Sequence, residues 1–400
     1  MDLIASLAQP AGSRILLVVL DGLGGVPRGS RTELEAAWIP NLDRLAARSS
    51  LGLTIPVEYG VTPGSGPAHL ALFGYDPLEW SVGRGVIEAL GVGVAVGPGD
   101  LCARANFATL AADGTVADRR AGRLATDRSA KLCALLQERI PSVDDCEVIV
   151  RPGREHRFAV VFRGPGLAGE LTESDPQHVG VPPLAVKPLA PDAARAAAVA
   201  NEFLRRAAEV LRESSPANLV LLRGLSRLPR IPSFGERLKL RAACVAAYPM
   251  YRGLAGLVGM DILEAGETWA DQLEAVRGHL AGYDFFYLHF KETDKAGEDG
   301  DFDAKVELIE RFDEEVVPQL AEFKFDVLCI TGDHSTPAVM GRHSWHTVPL
   351  LLHSKYVRPQ VNIEEFGERA CVRGNIGYIR AKYVMNLLMA HADRLAKYGA

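Results

Sequence analysis

The chain has 400 residues, of which 48% are hydrophobic and 24% are charged, and its formal net charge at pH 7 is −6. This length exceeds what one compact core usually holds, so we expect two domains. The negative charge and the lack of a basic run argue against a nucleic-acid partner. No apolar run approaches the roughly 20 residues that a membrane-spanning helix needs, so we expect no membrane partner either.

The six cysteines are widely spaced and form no CxxC pair. In a chain of this length they are typical of reduced thiols, and they indicate neither a disulfide framework nor a zinc site. The N-terminal sequence MDLIASLAQPAGSR lacks the basic start and the long apolar stretch of a secretory signal. We therefore expect a cytoplasmic protein.

The first part of the chain predicts strands that alternate with helices. Ile15–Leu20 is an apolar run typical of a buried strand, and a helix is expected near residues 41–49 and a strand near 51–56. Ser65 follows in TPGSGPAHLALFGYDP, at the predicted start of a helix, and Pro67 suits the first turn of that helix.

The middle of the chain has a different pattern. Two hairpin-like segments, RANFATL-AADG-TVADRR and CEVIVRPGREHRFAVVFRG, precede a proline-rich stretch at 175–191 and a long helix at 191–212. From about residue 241 the alternation returns, with strands expected at 284–290, 325–330 and 348–352. Helices are expected at 302–315 and 382–395.

These patterns predict an α/β fold with a mostly parallel sheet flanked by helices and with an inserted, smaller α+β domain. We place the α/β domain at residues 1–97 and 228–400 and the insert at 98–227. Hinges that would let the insert close and exclude water are expected near 91–99 and 225–232.

Acids and histidines follow several of the predicted strands or lie close beyond them. They are Asp21, Asp294, Asp333, His334 and His343. Because ligand sites in open parallel sheets lie beyond the carboxyl ends of strands, we expect these side chains to converge. Oxygen and imidazole ligands gathered in this way suit two divalent metals beside a serine nucleophile, here Ser65.

Each of these residues also has a structural interpretation. Asp21 could be a turn residue, His343 a surface histidine, and Ser65 the N-cap of its helix. The start of a helix, however, also directs backbone N–H groups towards a phosphoryl group on a serine hydroxyl. The joint occurrence of the residues favours the functional interpretation.

Five sequence stretches extend this interpretation: VVLDGLGG, TPGSGPAHLALFGYDP, KETDKAGEDGD, TGDHSTP and HSWHTVPLLL. As a set they resemble the archaeal-type branch of the cofactor-independent phosphoglycerate mutases, within the alkaline phosphatase superfamily. The resemblance implies an alkaline phosphatase-like fold. It also implies the interconversion of 3-phosphoglycerate and 2-phosphoglycerate in glycolysis and gluconeogenesis, without 2,3-bisphosphoglycerate, through a phosphoserine at a two-metal site.

The resemblance implies roles for the metal-site residues and for two arginines. Residues that match the ligands of one metal are Asp21, Ser65, Asp333 and His334, and those that match the other are Asp294, position 298 and His343. Ser65 also matches the serine that becomes phosphorylated. Arg123 and Arg223 match substrate-binding arginines of the family. Beyond the resemblance, Arg104, Arg119 and Lys291 are further candidates for the substrate clamp, and Asp118 is a candidate acid or base for the glycerate hydroxyl. Arginine forks suit phosphate and carboxylate, but each of these arginines could instead form a surface ion pair.

Position 298 departs from the family, which typically has histidine there, whereas this chain has Glu298. Asp294 and Glu298 can still share an ion, because residues four apart lie on one face of a helix. A carboxylate ligand favours Mn²⁺ or Mg²⁺, with Zn²⁺ still possible. The alternative is that Glu298 is solvated and that His289 or water completes the coordination sphere.

Other functions remain open at this stage. A homoserine kinase-like phosphotransfer or a phosphomonoesterase would use the same metals, and a catalytically inactive metal-binding protein is a third alternative. A nucleotide-binding enzyme is disfavoured, because DGLGGVPRG lacks both the Walker lysine and the dinucleotide glycine spacing. The expected partner is a small phosphorylated three-carbon acid, and the chain could form a homo-oligomer.

Overall fold

The computed structural model describes residues 2–80, 82–168 and 170–399. The chain forms two compact units: unit 1 comprises Met1–Ser81 and Ile231–Ala400, and unit 2 comprises Val82–Arg230. The second unit begins earlier than the insert predicted at 98–227. The reason is helix Arg84–Gly91, whose Gly85 lies so close to the backbone of Cys102 that a Cβ would clash with it. This helix therefore belongs to unit 2.

Fourteen strands lie within the described residues. They are β1 (Ile15–Leu20), β2 (Ser50–Ile55), β3 (Leu101–Leu110), β4 (Val116–Asp118), β5 (Ser142–Val143), β6 (Cys146–Pro152), β7 (Arg157–Arg163), β8 (Leu219–Arg227), β9 (Ala242–Ala246), β10 (Asp261–Ile262), β11 (Phe285–Phe290), β12 (Val327–Thr331), β13 (Val348–Ser354) and β14 (Gly377–Arg380).

Fifteen α-helices lie within the same residues. They are α1 (Leu3–Leu7), α2 (Glu33–Ala36), α3 (Pro40–Ala46), α4 (Ser65–Leu72), α5 (Arg84–Gly91), α6 (Thr126–Arg139), α7 (Ala194–Val210), α8 (Phe234–Leu238), α9 (Pro249–Leu257), α10 (Trp269–His279), α11 (Glu292–Glu298), α12 (Phe302–Glu315), α13 (Val317–Glu322), α14 (Glu368–Val372) and α15 (Val384–His391). Two 3₁₀ turns, Pro191–Ala193 and Ala381–Tyr383, precede α7 and α15. Among the residues described, no helix is both long and apolar enough to cross a bilayer.

Unit 1 contains an eight-stranded sheet in the order β10-β9-β11-β1-β12-β13-β2-β14. Its neighbouring strands are parallel except for β13, which is antiparallel to both β12 and β2. Every residue of β1, β11 and β12 is buried, as expected for apolar strands that helices cover on both faces. The prediction of a mostly parallel α/β sheet is confirmed.

The central strands of this sheet fix the place of the candidate site. β1 pairs in parallel with β11 on one side and with β12 on the other. The carboxyl ends of the three strands therefore meet at one edge. Asp21 follows β1 directly, α11 with Asp294 follows β11, and Asp333 follows β12 after one glycine.

Unit 2 is the predicted smaller α+β domain. Its antiparallel sheet has the order β4-β3-β7-β6-β5, and β8 also pairs with β3. The two predicted hairpins are confirmed as the antiparallel pairs β3–β4 and β6–β7. Buried residues of α6 and α7 form one hydrophobic core with those of the sheet.

Candidate functional site

One group of buried side chains lies at the carboxyl edge of β1 and β12. It consists of Asp21, Asp333 and His334. Nε2 of His334 lies 3.4 Å from Oδ1 of Asp21 and 3.2 Å from Oδ2 of Asp333. All three side chains are buried. The parallel pairing of β1 with β12 thus brings together residues that are hundreds of positions apart in the sequence.

A second group shares His334 with the first and adds Asp294 and His343. Nε2 of His343 lies 3.5 Å from Oδ1 of Asp294, and the two histidine rings stack with their centroids 3.7 Å apart. Glu298, at the end of α11, has Oε1 3.7 Å from Nε2 of His343, and its side chain is 55% exposed. Glu298 therefore lies at the outer side of this group.

The hydrogen bonds of both histidines leave Nε2 available as a ligand atom. Nδ1 of His334 lies 3.0 Å from Oγ1 of Thr336, and that hydroxyl donates to Oδ1 of Asp294 at 2.5 Å. Nδ1 of His343 lies 3.1 Å from the carbonyl oxygen of Pro63. In each case Nδ1 carries the proton, because its partner accepts. Metal-binding histidines in proteins have this arrangement.

Ser65 is the first residue of α4, and its hydroxyl lies 3.2 Å from Nε2 of His334. The alternative that Ser65 caps this helix is wrong, because the N-cap residue is Gly64. Its backbone is extended, and no side chain caps the helix. The hydroxyl of Ser65 is therefore not engaged by the amides of its own helix. The carbonyl oxygen of Ser65 accepts a hydrogen bond from Nδ1 of His69 at 2.8 Å. Burial and the nearby His289 lower the pKa of His69 to about 3, so this imidazole is neutral.

The structure places His289, which the sequence offered as an alternative ligand near Glu298, beside Asp21 and adds Tyr251, which the sequence did not single out. The hydroxyl of Tyr251, in α9, donates to Oδ2 of Asp21, and Nε2 of His289, in β11, lies 3.1 Å from the same oxygen. The rings of Tyr251 and His289 stack with centroids 3.7 Å apart. His289 contacts Asp21 rather than the second group, so it does not complete the sphere around Asp294. A histidine inside an apolar strand was the available signal for His289, whereas Tyr251 had none.

Lys291 is a cation in direct contact with carboxylates of both groups. Its Nζ lies 2.5 Å from Oδ2 of Asp294 and 3.2 Å from Oδ2 of Asp21. Burial lowers the pKa of Lys291, but the two carboxylates outweigh that effect, so its pKa lies well above the usual range. Lys291 is therefore charged and neutralises part of the acidic cluster.

The remaining negative charge fits metal ions. Oδ1 of Asp21 and Oδ2 of Asp333 are buried and accept no hydrogen bond. Burial, Asp21 and Asp294 raise the pKa of Asp333 well above its usual range. Burial also raises the pKa of Asp21, but Lys291 and the hydrogen bond from His289 outweigh it and hold that pKa low. Buried carboxylate oxygens without donors are costly unless a cation binds them, so this donor set fits divalent metals.

Three of the predicted substrate arginines lie beside acids of unit 2. Arg119 forms two hydrogen bonds to Asp175, at 2.8 and 2.7 Å, and Nε of Arg223 lies 3.3 Å from the same carboxylate. Nε of Arg104 lies 3.5 Å from Glu88. Arg104 and Arg223 are direct neighbours across β3 and β8, and the Nε atoms of both are buried without a hydrogen-bond partner.

The other two candidates of unit 2 lie at the end of β4 and in the turn that follows it. The carboxylate of Asp118 accepts hydrogen bonds from the amides of Arg120, at 2.8 Å, and Gly122, at 2.6 Å. Asp118 therefore stabilises this turn. Arg123 follows with a positive φ of 53°, and it is exposed.

The fold and the buried cluster define an α/β enzyme with an acid–histidine centre beside a serine, and comparison with known proteins gives its family. The model for the family described as 2,3-bisphosphoglycerate-independent phosphoglycerate mutase matches residues 46–218. A relative from Thermotoga neapolitana, named probable 2,3-bisphosphoglycerate-independent phosphoglycerate mutase, is 50% identical over 99% of this chain and 98% of its own. A relative of the same name from Thermus thermophilus is 49% identical over the full length of both chains.

Solved structures agree with these relatives. A structure from Pyrococcus horikoshii has a TM-score of 0.83 and 32% identity, and the match covers 97% of this chain and 99% of that one. The cofactor-independent phosphoglycerate mutase from Thermoplasma acidophilum has a TM-score of 0.70 and 31% identity, with coverage of 95% and 100%. The chain belongs to the 2,3-bisphosphoglycerate-independent phosphoglycerate mutases. It is accordingly an isomerase that acts on a small phosphorylated acid.

Proposed function

We propose that this mutase interconverts 3-phosphoglycerate and 2-phosphoglycerate through a phosphoserine on Ser65 at a two-metal site. The single observation that carries the proposal is the position of the Ser65 hydroxyl. It lies 3.2 Å from Nε2 of His334, and that nitrogen also faces the buried carboxylates of Asp21 and Asp333. A nucleophile in contact with a metal-binding group has the placement that two-metal phosphoryl transfer requires.

We assign the ligands of the two metals from the direction of their donor atoms. Asp21, Asp333 and Nε2 of His334, with the Ser65 hydroxyl, would hold one ion. Asp294, Glu298 and Nε2 of His343 would hold the other. His334 belongs to the first set, because its Nδ1, which faces Asp294, is engaged by Thr336. The first set has three oxygen ligands, from Asp21, Asp333 and Ser65, and the second has two carboxylate ligands. Oxygen ligands of this kind favour Mn²⁺ or Mg²⁺.

The reaction then consists of two transfers at one phosphorus atom. When bound, the metals would lower the pKa of the Ser65 hydroxyl and neutralise charge on the moving phosphoryl group. Oγ of Ser65 attacks the phosphorus of 3-phosphoglycerate, the bond from phosphorus to O3 of glycerate breaks, and O3 takes up a proton as Ser65 loses one. O2 of glycerate next loses its proton and attacks the phosphorus of phospho-Ser65. The bond to Oγ breaks, and Oγ takes up a proton as 2-phosphoglycerate leaves.

Protein cations would hold the anionic groups during the transfers. Lys291 is charged and lies between Asp21 and Asp294, where it can also face a phosphoryl oxygen. For the glycerate carboxylate we propose Arg104 and Arg223, because these two arginines are direct neighbours across β3 and β8 and arginine forks suit carboxylates. The roles of Arg119, Arg123 and Asp118 as substrate or acid–base groups stay predictions.

The test compares Ser65→Ala with Ser233→Ala, a serine of unit 1 that does cap its helix. Ser233 accepts a hydrogen bond from the amide of Glu236 at 3.4 Å, so its loss should cost about 1 kcal/mol of stability and leave turnover intact. Ser65→Ala should instead retain its stability and lose at least about 10⁴-fold in kcat. Turnover is measured with 3-phosphoglycerate and Mn²⁺, without 2,3-bisphosphoglycerate.

An active Ser65→Ala variant would refute the phosphoserine route. Full activity after exhaustive chelation would refute the metal site. Stoichiometric release of inorganic phosphate in place of 2-phosphoglycerate would point to a phosphomonoesterase.

A further inference from the structure

Lys305 is a lysine in α12 whose side chain is completely buried. Its Nζ donates three hydrogen bonds, all to backbone carbonyl oxygens: Gly22 at 2.9 Å, Gly24 at 3.1 Å and Thr336 at 2.9 Å. Three acceptors require three N–H groups, so the nitrogen is an ammonium rather than an amine. The three N–H groups of Nζ are thus all bonded to the backbone of two loops.

The three carbonyls belong to the two segments that carry candidate metal ligands. Gly22 and Gly24 follow Asp21, and Thr336 follows Asp333 and His334. The segments also contact one another, because the amide of Thr336 lies 3.3 Å from the carbonyl of Gly22 and 3.1 Å from that of Gly24. Lys305 therefore joins two segments whose side chains must meet around one ion.

The space around these segments leaves little freedom. A Cβ on Gly22 would lie 2.7 Å from Oγ1 of Thr336 and 2.8 Å from Oδ1 of Asp294. Thr336 itself bonds to Asp294 and His334, which links the carbonyl held by Lys305 to ligands of both groups. A shift of Thr336 would consequently move the hydroxyl that is hydrogen-bonded to both Asp294 and His334.

Glu33 supplies the charge that makes the buried ammonium tolerable. It is buried in α2, its Oε1 lies 3.9 Å from Nζ of Lys305, and the same oxygen accepts the amide of Ala338 at 2.7 Å. Burial lowers the pKa of Lys305, and Glu33 acts against that effect. The pair thus fixes residues 336 and 338 from two directions.

We infer that Lys305 is a positioning residue that sets metal affinity by holding the segment after β1 in register with the segment after β12. The inference rests on the metal site of the proposed function, and it gives Lys305 a role beyond stability. Groups that orient ligands from outside the coordination sphere typically contribute about 10–100-fold to metal affinity, and we expect a loss of that size without Lys305.

The experiment compares Lys305→Met with Arg394→Met. Arg394 is matched because it is also buried and also bonds to carbonyls, those of Ala11 and Ser13, but next to the amino end of β1. The dissociation constant for Mn²⁺ is measured by calorimetric titration, together with the melting temperature and with kcat at limiting and saturating Mn²⁺. Both variants should melt lower than the unsubstituted protein. Only Lys305→Met should bind Mn²⁺ about 10–100-fold more weakly, and saturating Mn²⁺ should restore most of its kcat.

Removing one partner of a buried ion pair is strongly destabilising, so Lys305→Met/Glu33→Gln is a second arm that leaves no unpaired charge. Hydrogen exchange of the unsubstituted protein is a third arm: Mn²⁺ should slow exchange at the amides of Thr336 and Ala338. Equal Mn²⁺ affinity in Lys305→Met and the unsubstituted protein would overturn the inference, as would an equal loss in Arg394→Met or exchange that Mn²⁺ leaves unchanged. An unsubstituted protein that binds no Mn²⁺ would instead overturn the proposed function.

Discussion

Asp333→Asn should separate the stability of the metal-free protein from its response to metal. Asp333 is buried, its Oδ1 accepts the amide of Gly22 at 3.1 Å, and its Oδ2 accepts no hydrogen bond. A buried acceptor without a partner costs about 1–3 kcal/mol, and more when it is charged. Asparagine keeps the bond to Gly22, cannot carry a charge, and places an N–H beside Nε2 of His334. We therefore expect the metal-free variant to be more stable by about 1–3 kcal/mol.

Metal should stabilise the unsubstituted protein more than the variant. A ligand at 100 times its dissociation constant stabilises a protein by about 2.7 kcal/mol per site, so two sites give the unsubstituted protein about 5 kcal/mol. The variant should gain about 3 kcal/mol or less, because one site has lost a carboxylate. For a domain of this size 1 kcal/mol shifts the melting temperature by about 2–4 °C, which thermal scans in chelator and in Mn²⁺ resolve easily.

The control for this experiment is Asp313→Asn. Asp313 is equally buried, but its oxygens accept N–H groups of Asn41 and Leu42, so the substitution should destabilise the protein with or without metal. An Asp333→Asn protein that melts below the unsubstituted protein in chelator would refute the reasoning. Equal stabilisation of the two proteins by Mn²⁺ would do so as well.

Two further substitutions test the ligand role of Glu298 and the titration of Glu368. Glu298→His should shift the ratio of Zn²⁺ to Mn²⁺ affinity by roughly tenfold or more towards Zn²⁺, because imidazole is a softer ligand than carboxylate. The ratio is measured by competition titrations. An unchanged ratio would show that Glu298 is not a metal ligand. Burial raises the pKa of Glu368 from 4.5 to about 7, so its contribution to stability is present below pH 4.5 and lost as the pH rises through 7. Glu368→Gln should consequently stabilise the protein at pH 8 by up to about 3 kcal/mol. It should also flatten the pH dependence of the free energy of urea unfolding between pH 5 and 8. If the variant and the unsubstituted protein have the same pH dependence, Glu368 does not have the raised pKa.

Elements with a strong local pattern were predictable from the sequence. The apolar run of β1 and the amphipathic helix α12 have the predicted bounds, because continuous burial and helical periodicity are properties of neighbouring residues. The direction of β13 was not predictable in this way. It depends on pairing with β12 and β2, which are distant in the sequence.

The acids and histidines of the site were found because they lie close beyond strands that are neighbours in the sheet. Their partners were harder to find. Tyr251 reaches Asp21 from a separate helix, and Arg119 pairs with Asp175 across a loop, so neither contact leaves a local pattern. Lys305 did leave a signal, since it occupies the apolar face of α12 between Phe302 and Ile309. A lysine at such a position is expected to be paired or bonded when buried.

The covalent state of Ser65 during turnover is the most direct test of the central claim. The protein is mixed with 3-phosphoglycerate and Mn²⁺, quenched in acid within a turnover, digested, and analysed by mass spectrometry. We expect one phosphoryl group on the peptide that contains Ser65, and none on that peptide from Ser65→Ala. A phosphoryl group on another residue, or turnover to 2-phosphoglycerate while Ser65 stays unmodified, would contradict it.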